Sequence, residues 1–277
     1  MLTHRTVGII GAGSMAEALL RGVFDAGVLR PERCLVTNKS NDERLARLGR
    51  AWPVRTTRDK PELMAWSEVV ILAVKPRDMP TVLGEIAPHV TGRHLIVSVA
   101  AGVSIEMIER ALGAVAVVRA MPNTSTAVRA SATAIASGRL AGPEHLGIAR
   151  AIFEAVGWVG VVPESLLDVV TAVSGSGPAY VYALAEAMVD AGERAGLPSD
   201  VARALVSQTI LGAGKMLTET GESPDVLRGQ VTSPGGTTMA GLEALEQGGF
   251  RAAVHAAVIR ATRRARELRG SPVRTPR

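Results

Sequence analysis

Three small residues near the start of the chain have the spacing of a phosphate cradle. Gly11, Gly13 and Ala16 form G-x-G-x-x-A directly after the apolar run TVGII (6–10) and directly before the helical pattern MAEALLRGV. In that setting the first glycine permits a tight turn and the second lets a pyrophosphate approach the backbone. Ala16 lets helix and strand pack closely, and Ser14 and Met15 open a helix whose N-terminal amides face the anion. The spacing alone equally describes a strand-to-helix turn with no ligand. The strand before it, the helix after it and the further strand–helix units behind it favour a dinucleotide. About 20 residues beyond Ala16, where NAD-selective sites place an acid for the ribose 2′-hydroxyl, stand Asn38, Lys39 and Ser40. Neutral and basic groups suit a 2′-phosphate, so the expected cofactor is NADP, with NADPH preferred and NADH usable. Asp42 and Glu43 would take that place only if the second strand were longer.

A second group of chemistry-bearing residues lies in the other half. Ser174, Gly175, Ser176, Gly177 and Pro178 precede a helical pattern from Ala179, and Ser233, Gly235, Gly236, Thr237 and Thr238 precede MAGLEALEQGG. Each segment reads as a small-residue turn opening a helix, with free N–H groups and hydroxyls suited to a carboxylate. Ordinary capping explains one such turn. Two in one domain, each with paired glycines and hydroxyls, point to one small anionic substrate.

The elements that must position these residues divide the chain. Short apolar runs TVGII (6–10), CLVTN (34–38), VVILAV (69–74), LIVSVA (95–100), AVVRAMP (116–122) and ATAIAS (132–137) alternate with stretches of helical spacing. Strands apolar on both faces and separated by helices predict a parallel sheet covered on both sides, a Rossmann-type doubly wound α/β domain. Its strand ends should face the cofactor. They carry Ala73, Val74, Lys75 and Pro76, then Ala100, Ala101 and Gly102, then Met121 and Asn123, whose amide is fit for a carboxamide or a ribose. Beyond GWVGVVPES (157–165) long alanine-rich helical patterns take over, so an all-α domain is expected from Pro163. The boundary falls between residues 162 and 163.

Composition narrows the function. A chain of 277 residues with 47% hydrophobic residues builds a sizeable core. The single cysteine, Cys34, implies neither a disulfide framework nor a zinc site and fits a reducing compartment. No secretory h-region and no membrane-length apolar run is present, so the expected place is the cytoplasm and no membrane partner is expected. Much of the net charge of +5 sits in residues 260–277, read as a solvated helix end and tail, and with 3% aromatic residues a nucleic-acid platform is not expected. The apolar helices 200–217 and 250–261 carry more Ala, Val, Leu and Ile than a small domain's free surface needs, which predicts a homodimer or a higher homo-oligomer. His4, His89, His94, His145 and His255 have no ligand or triad spacing, so no metal is expected.

The motifs GIIGAGSMAEAL, AVKP, AMPNT, VTAVSGSGPAYVYALAEAMVDAGERAGL and VTSPGGTTMAGLEALEQGGFR, in that order, closely resemble pyrroline-5-carboxylate reductase, the last enzyme of proline biosynthesis. SGSGPAY and SPGGTT together behind a Rossmann half are far more specific than G-x-G-x-x-A. Ser14 stands where the family usually has asparagine, which keeps a polar phosphate contact. The resemblance implies reduction of L-1-pyrroline-5-carboxylate to L-proline by hydride from NADPH. It also implies a dinucleotide-binding domain over 1–162 and a helical substrate-binding and dimerisation domain over 163–277. On the same ground Ser176, Thr237 and Thr238 are expected to contact the carboxylate or ring, with Gly177, Pro178, Gly235, Gly236 and Met121 around it. Thr237, Thr238 or a held water would supply the ring-nitrogen proton. Glu164 and Asp168 would offset the iminium charge or simply stabilise a helix dipole. Two rivals differ in class. A β-hydroxyacid dehydrogenase would use Lys215 as acid or base, and an NADP-binding sensor would bind without turnover.

Overall fold

The computed structural model describes Leu2 and residues 4–270. An eight-stranded sheet carries the first half, with strands β1 (Val7–Ile10), β2 (Cys34–Thr37), β3 (Arg55–Thr57), β4 (Val69–Leu72), β5 (Leu95–Ser98), β6 (Ala116–Met121), β7 (Ser131–Ser137) and β8 (Gly157–Val161) in the order β3-β2-β1-β4-β5-β6-β7-β8. Helices α1 (Ser14–Asp25), α2 (Asp42–Ala51), α3 (Lys60–Trp66), α4 (Met79–Ile86), α5 (Ile105–Leu112) and α6 (Pro143–Glu154) connect most of them.

Side chains alternate across the sheet, so each central strand feeds two cores. Val7, Ile9, Cys34, Val36, Val69, Ile71 and Val97 join Leu19, Leu20, Ile152 and Phe153 on one face. Ile10, Leu35, Val70, Leu72 and Ile96 join Leu63, Met79, Leu83 and Ile108 on the other. Burial on both sides explains why these strands read as continuous apolar runs rather than alternating ones.

Two features differ from what the apolar runs predict. β6 and β7 are antiparallel, with Val118 opposite Ser137 and Met121 opposite Ala134. The link 122–130 holds only a 3-10 turn, Thr124–Val128, and is too short for the crossover that a parallel pair needs. β3 and β8 are edge strands absent from the sequence reading. β3 is Arg-Thr-Thr, half exposed, with no apolar alternation to reveal it, and β8 contains two glycines and an exposed Trp158.

Helical structure runs from Glu164 onward. A 3-10 turn, Glu164–Leu166, leads into α7 (Leu167–Val170), a π-helical turn at Thr171–Gly175 and α8 (Gly177–Arg194). Then follow α9 (Ser199–Glu219), α10 (Pro224–Gln230), α11 (Thr237–Gln247) and α12 (Phe250–Gly270). By compactness the chain divides into one unit of residues 1–176 with 260–277 and another of residues 177–259. Within the second unit α8 packs on α9, where Gly192 faces Leu197 and Ala202. Most apolar side chains of that unit are exposed in the single chain, among them Val181, Tyr182, Leu184, Leu205, Leu211 and Phe250. Among the described residues no helix is long and apolar enough to cross a membrane. The basic tail expected at the C-terminus lies outside the described residues from 271 onward.

Candidate functional site

The glycine-rich segment sits where three strands end together. Gly11 donates its N–H to the Thr37 carbonyl at 2.9 Å, and Ala73 donates to Ile10 at 2.9 Å, so the ends of β2, β1 and β4 are tied side by side. Gly11 has φ +107°, and a Cβ there would lie 2.6 Å from the Ala73 carbonyl oxygen. Gly13 caps α1 in extended conformation with no side-chain hydrogen bond, and the space its Cβ would occupy is empty to 4 Å. Ala16 is fully buried against the core, Met15 is packed beside it, and Ser14 is exposed at the first turn. This is the division of labour that a dinucleotide fold assigns to the three small positions.

A cavity of about 490 Å³ opens over these strand ends. Gly11, Gly13, Asn38, Lys39 and Ser40 line it, as do Ala73, Val74 and Lys75. Asn41, next after Ser40, lines it too, and so do Arg44, Arg77 and Thr81, which the motifs do not single out. Their signal was weak, because each lies in a helix start or loop whose direction is fixed only once the strands are placed. The Thr37 hydroxyl is buried on this wall with no hydrogen-bond partner. β2 ends at Thr37, and Asp42 starts α2 in an ion pair with Arg58, so no carboxylate stands at the strand end. An open helix N-terminus, an orphan hydroxyl, and Lys39 and Lys75 with no ion pair among the described residues all fit a phosphorylated dinucleotide. Pro76 follows at the start of a 3-10 turn, whereas Ala100, Ala101 and Gly102 lie beyond β5 and do not line this cavity.

β6 and the loop after it hold the segment that follows residue 163. Arg119, 1% exposed, reaches Glu164 at 3.0 Å, and the same carboxylate oxygen accepts the Ile105 N–H at the start of α5 at 2.7 Å. The Glu164 charge is therefore already engaged by a buried guanidinium and a helix start. Met121, two residues on, packs its methyl against Gly175. Asn123 donates from Nδ2 to the Ser174 carbonyl at 3.1 Å and accepts the Ser125 N–H at 3.1 Å. Both ends of the amide that suited a carboxamide are thus engaged inside the chain. Removing them with Asn123→Ala should cost about 1–3 kcal/mol, read as a lower urea midpoint, because the Ser174 carbonyl and Ser125 N–H are left without that partner.

The SGSGP segment needs correction. It is not a turn opening a helix from an extended loop, because Thr171–Gly175 is already π-helical and the Ser176 N–H is used by the Thr171 carbonyl at 2.8 Å. Gly177 and Pro178 begin α8 immediately after it. Two consecutive small residues and a proline, which cannot donate, leave room for the wider turn, and such π-turns recur at functional sites. Ser174 donates its hydroxyl to the Val170 carbonyl at 3.1 Å. Asp168 is buried and ion-paired with Arg269 at 3.0 Å, so it too has its own cation.

The SPGGTT segment does open a helix. Gly236 donates to the Ser233 carbonyl at 3.0 Å across a turn with Pro234 second and Gly235, at φ +69°, third, the arrangement of a type II turn. Gly236 then caps α11 in extended conformation, and no side chain makes a capping hydrogen bond. Thr237 and Thr238 occupy the first turn with their hydroxyls uncommitted to a cap. Lys215, by contrast, is exposed on α9 and 4.0 Å from Glu219, one turn on. Two of the histidines serve the backbone. His94 is buried between Met64 and Thr91, and His145 accepts the Gly142 N–H at the start of α6. Burial pushes the Cys34 thiol pKa upward, which keeps it neutral and inert.

Residues 164–268 match the family model described as pyrroline-5-carboxylate reductase dimerisation, and residues 6–102 match that of an NADP oxidoreductase, coenzyme F420-dependent. Pyrroline-5-carboxylate reductase 2 of Bacillus subtilis is 42% identical over 266 residues, covering 96% of this chain and 95% of that protein. A pyrroline-5-carboxylate reductase structure from Coxiella burnetii superposes with a TM-score of 0.92 at 38% identity, covering 96% of this chain and 99% of that one. The Plasmodium falciparum pyrroline carboxylate reductase with NADP bound gives 0.86 at 28% identity, covering 98% and 100%.

Proposed function

The chain belongs to the pyrroline-5-carboxylate reductase family, and from that premise we propose that it reduces L-1-pyrroline-5-carboxylate to L-proline, with NADPH as the preferred reductant. The observation that carries the reading at the level of residues is the uncapped start of α11, where Gly235 turns the backbone and Thr237 and Thr238 present hydroxyls beside free helix amides. Such a site holds a carboxylate without a counter-cation and therefore leaves a neighbouring iminium charge intact.

The substrate's C=N bond is electrophilic once its nitrogen is protonated, so the protein's work is to hold, orient and exclude water. When bound, the reduced nicotinamide supplies the hydride for the imine carbon. Gly11 and Gly13 admit the pyrophosphate to the α1 N-terminus, and Lys39, Ser40 and Asn38 hold the adenosine end. Ser176, Gly177 and Pro178, with Met121 against the π-turn, form part of the ring's surroundings. Thr237 or Thr238, directly or through a held water, gives the ring nitrogen its proton. Glu164 and Asp168, engaged by Arg119 and Arg269, act as supports for the polypeptide rather than as partners of the iminium.

The proposed division into a nucleotide-binding half over 1–162 and a substrate-binding, dimer-forming half from 163 is supported by the start of the dimerisation match at residue 164, while compactness groups residues 163–176 with the first half. The chain works as a homo-oligomer, and the exposed apolar side chains of α8 and α9 are the surface for a second copy. Light scattering at micromolar concentration should give a dimer or larger; a monomer would contradict it. We place the enzyme in the cytoplasm, where the single buried thiol needs no protection.

The functional test is loss of NADPH absorbance on adding L-1-pyrroline-5-carboxylate, with proline identified as product. Lys215→Ala should keep the rate within about twofold of wild type, as expected for an exposed i,i+4 pair. Oxidation of a β-hydroxyacid that is abolished by Lys215→Ala, with no imine reduction by the wild type, would favour hydroxyacid chemistry, and cofactor binding without turnover would favour a sensor.

A further inference from the structure

We infer that Arg44 is a specificity-determining residue, a second cation for the 2′-phosphate of NADP that acts beside Lys39. The inference rests on the NADP reading of the cleft and deepens it. Arg44 lies in the first turn of α2, is half-buried, and lines the same cavity wall as Asn38, Lys39 and Ser40. Its backbone is pinned there, because Asn41 caps α2 by accepting the Arg44 N–H at 2.9 Å.

The neighbouring arginines show what sets it apart. Arg47 is paired with Glu17, Arg58 with Asp42, and Arg55 with Glu62 at 3.3 Å. Arg44 has no ion pair among the described residues. Arg50, one turn or more further along α2, has none either, but it does not line the cavity. The two acids that do line it belong to the segment after β4 and have cations of their own, Glu85 with Lys60 at 2.9 Å and Asp78 with Arg77 at 4.0 Å. The wall formed by residues 38–44 therefore offers two cations without an ion pair among the described residues, Lys39 and Arg44; of its two acids, Asp42 is held by Arg58, and Glu43 is exposed and does not line the cavity. A guanidinium is a planar fork that matches two oxygens of a phosphate, whereas a lone ribose hydroxyl offers it little. A phosphate monoester carries close to two negative charges at neutral pH, so discrimination between the two cofactors falls on this wall.

The test is calorimetric titration of the whole protein with adenosine 2′,5′-bisphosphate and with 5′-AMP, for wild type, Arg44→Met, Arg44→Lys and the control Arg50→Met. Arg44→Met should weaken the bisphosphate by about tenfold or more and leave 5′-AMP within about twofold. Arg44→Lys should fall between, and Arg50→Met should match wild type. Equal loss for both ligands, or no loss for the bisphosphate, would overturn the role of Arg44. A wild-type protein that binds the two ligands equally would overturn the NADP preference itself, and with it this inference. Unchanged thermal midpoints across the variants separate a lost contact from a damaged fold.

Discussion

Gly11→Ala and Gly13→Ala should both abolish useful NADPH binding, but only the first should damage the fold. Gly11 sits at φ +107°, a conformation costly to any residue with a Cβ, and the added carbon would lie 2.6 Å from the Ala73 carbonyl oxygen and 2.8 Å from its carbon. Neither strand can retreat without loosening the bonds from Gly11 to Thr37 and from Ala73 to Ile10. The backbone conformation and the overpacking together should cost about 2–5 kcal/mol, seen as a fall in thermal midpoint and urea midpoint. Gly13 is different. Its φ of −73° and ψ of 178° suit alanine, and its Cβ would meet nothing within 4 Å. Stability should therefore fall by about 1 kcal/mol at most, the difference between glycine and alanine at an N-cap. The new methyl instead takes the open space over the α1 N-terminus, and NADPH affinity should fall by about a hundredfold, a loss of roughly 2.7 kcal/mol. Fluorescence titration beside thermal unfolding separates the two variants. Wild-type NADPH affinity in Gly13→Ala would mean that phosphate does not approach the backbone there.

Thr238→Val should remove turnover while leaving the protein folded. The side chain is in the first turn of α11, where no side-chain hydrogen bond caps the helix, so exchanging the hydroxyl for a methyl breaks no structural bond of that kind. If the hydroxyl delivers or relays the ring-nitrogen proton, kcat should drop by about a hundredfold or more, the usual scale of general acid catalysis. Thr238→Ser, which keeps the hydroxyl, should stay within about tenfold of wild type. Steady-state kinetics at saturating NADPH read both. A valine variant with normal kcat and a raised KM would move Thr238 from the proton path to substrate binding alone.

What the sequence made legible follows from how local each signal is. The G-x-G-x-x-A turn depends on residues within a few positions of one another, and Gly11, Gly13 and Ala16 each occupy the environment that their size implies. The six apolar runs became strands because burial on both faces writes itself into every residue of a run. β3 and β8 left no such mark, since an edge strand such as Arg55–Thr57 is held by backbone pairing with Leu35, Val36 and Thr37 more than by its own side chains. The antiparallel β6–β7 pair was readable only from the length of the link, which composition does not emphasise. SGSGP was harder still. Glycine and serine suggest a capping turn, but Asn123 and Met121, far away in sequence, contact this stretch, which is a π-turn leading into a helix. Likewise, Glu164 and Asp168 read as free carboxylates until Arg119 and Arg269 are placed beside them.

The most direct measurement is the fate of a single deuterium. The enzyme would be incubated with unlabelled L-1-pyrroline-5-carboxylate and NADPH carrying deuterium at the transferable nicotinamide position, and the proline formed would be analysed by mass and by NMR. Direct hydride transfer to the imine carbon predicts proline with one deuterium on the ring carbon that was double-bonded to nitrogen, in one stereochemical position. Proline without label, or no proline while NADPH still binds, would contradict the account and leave a nucleotide-binding fold whose helical half serves a different chemistry.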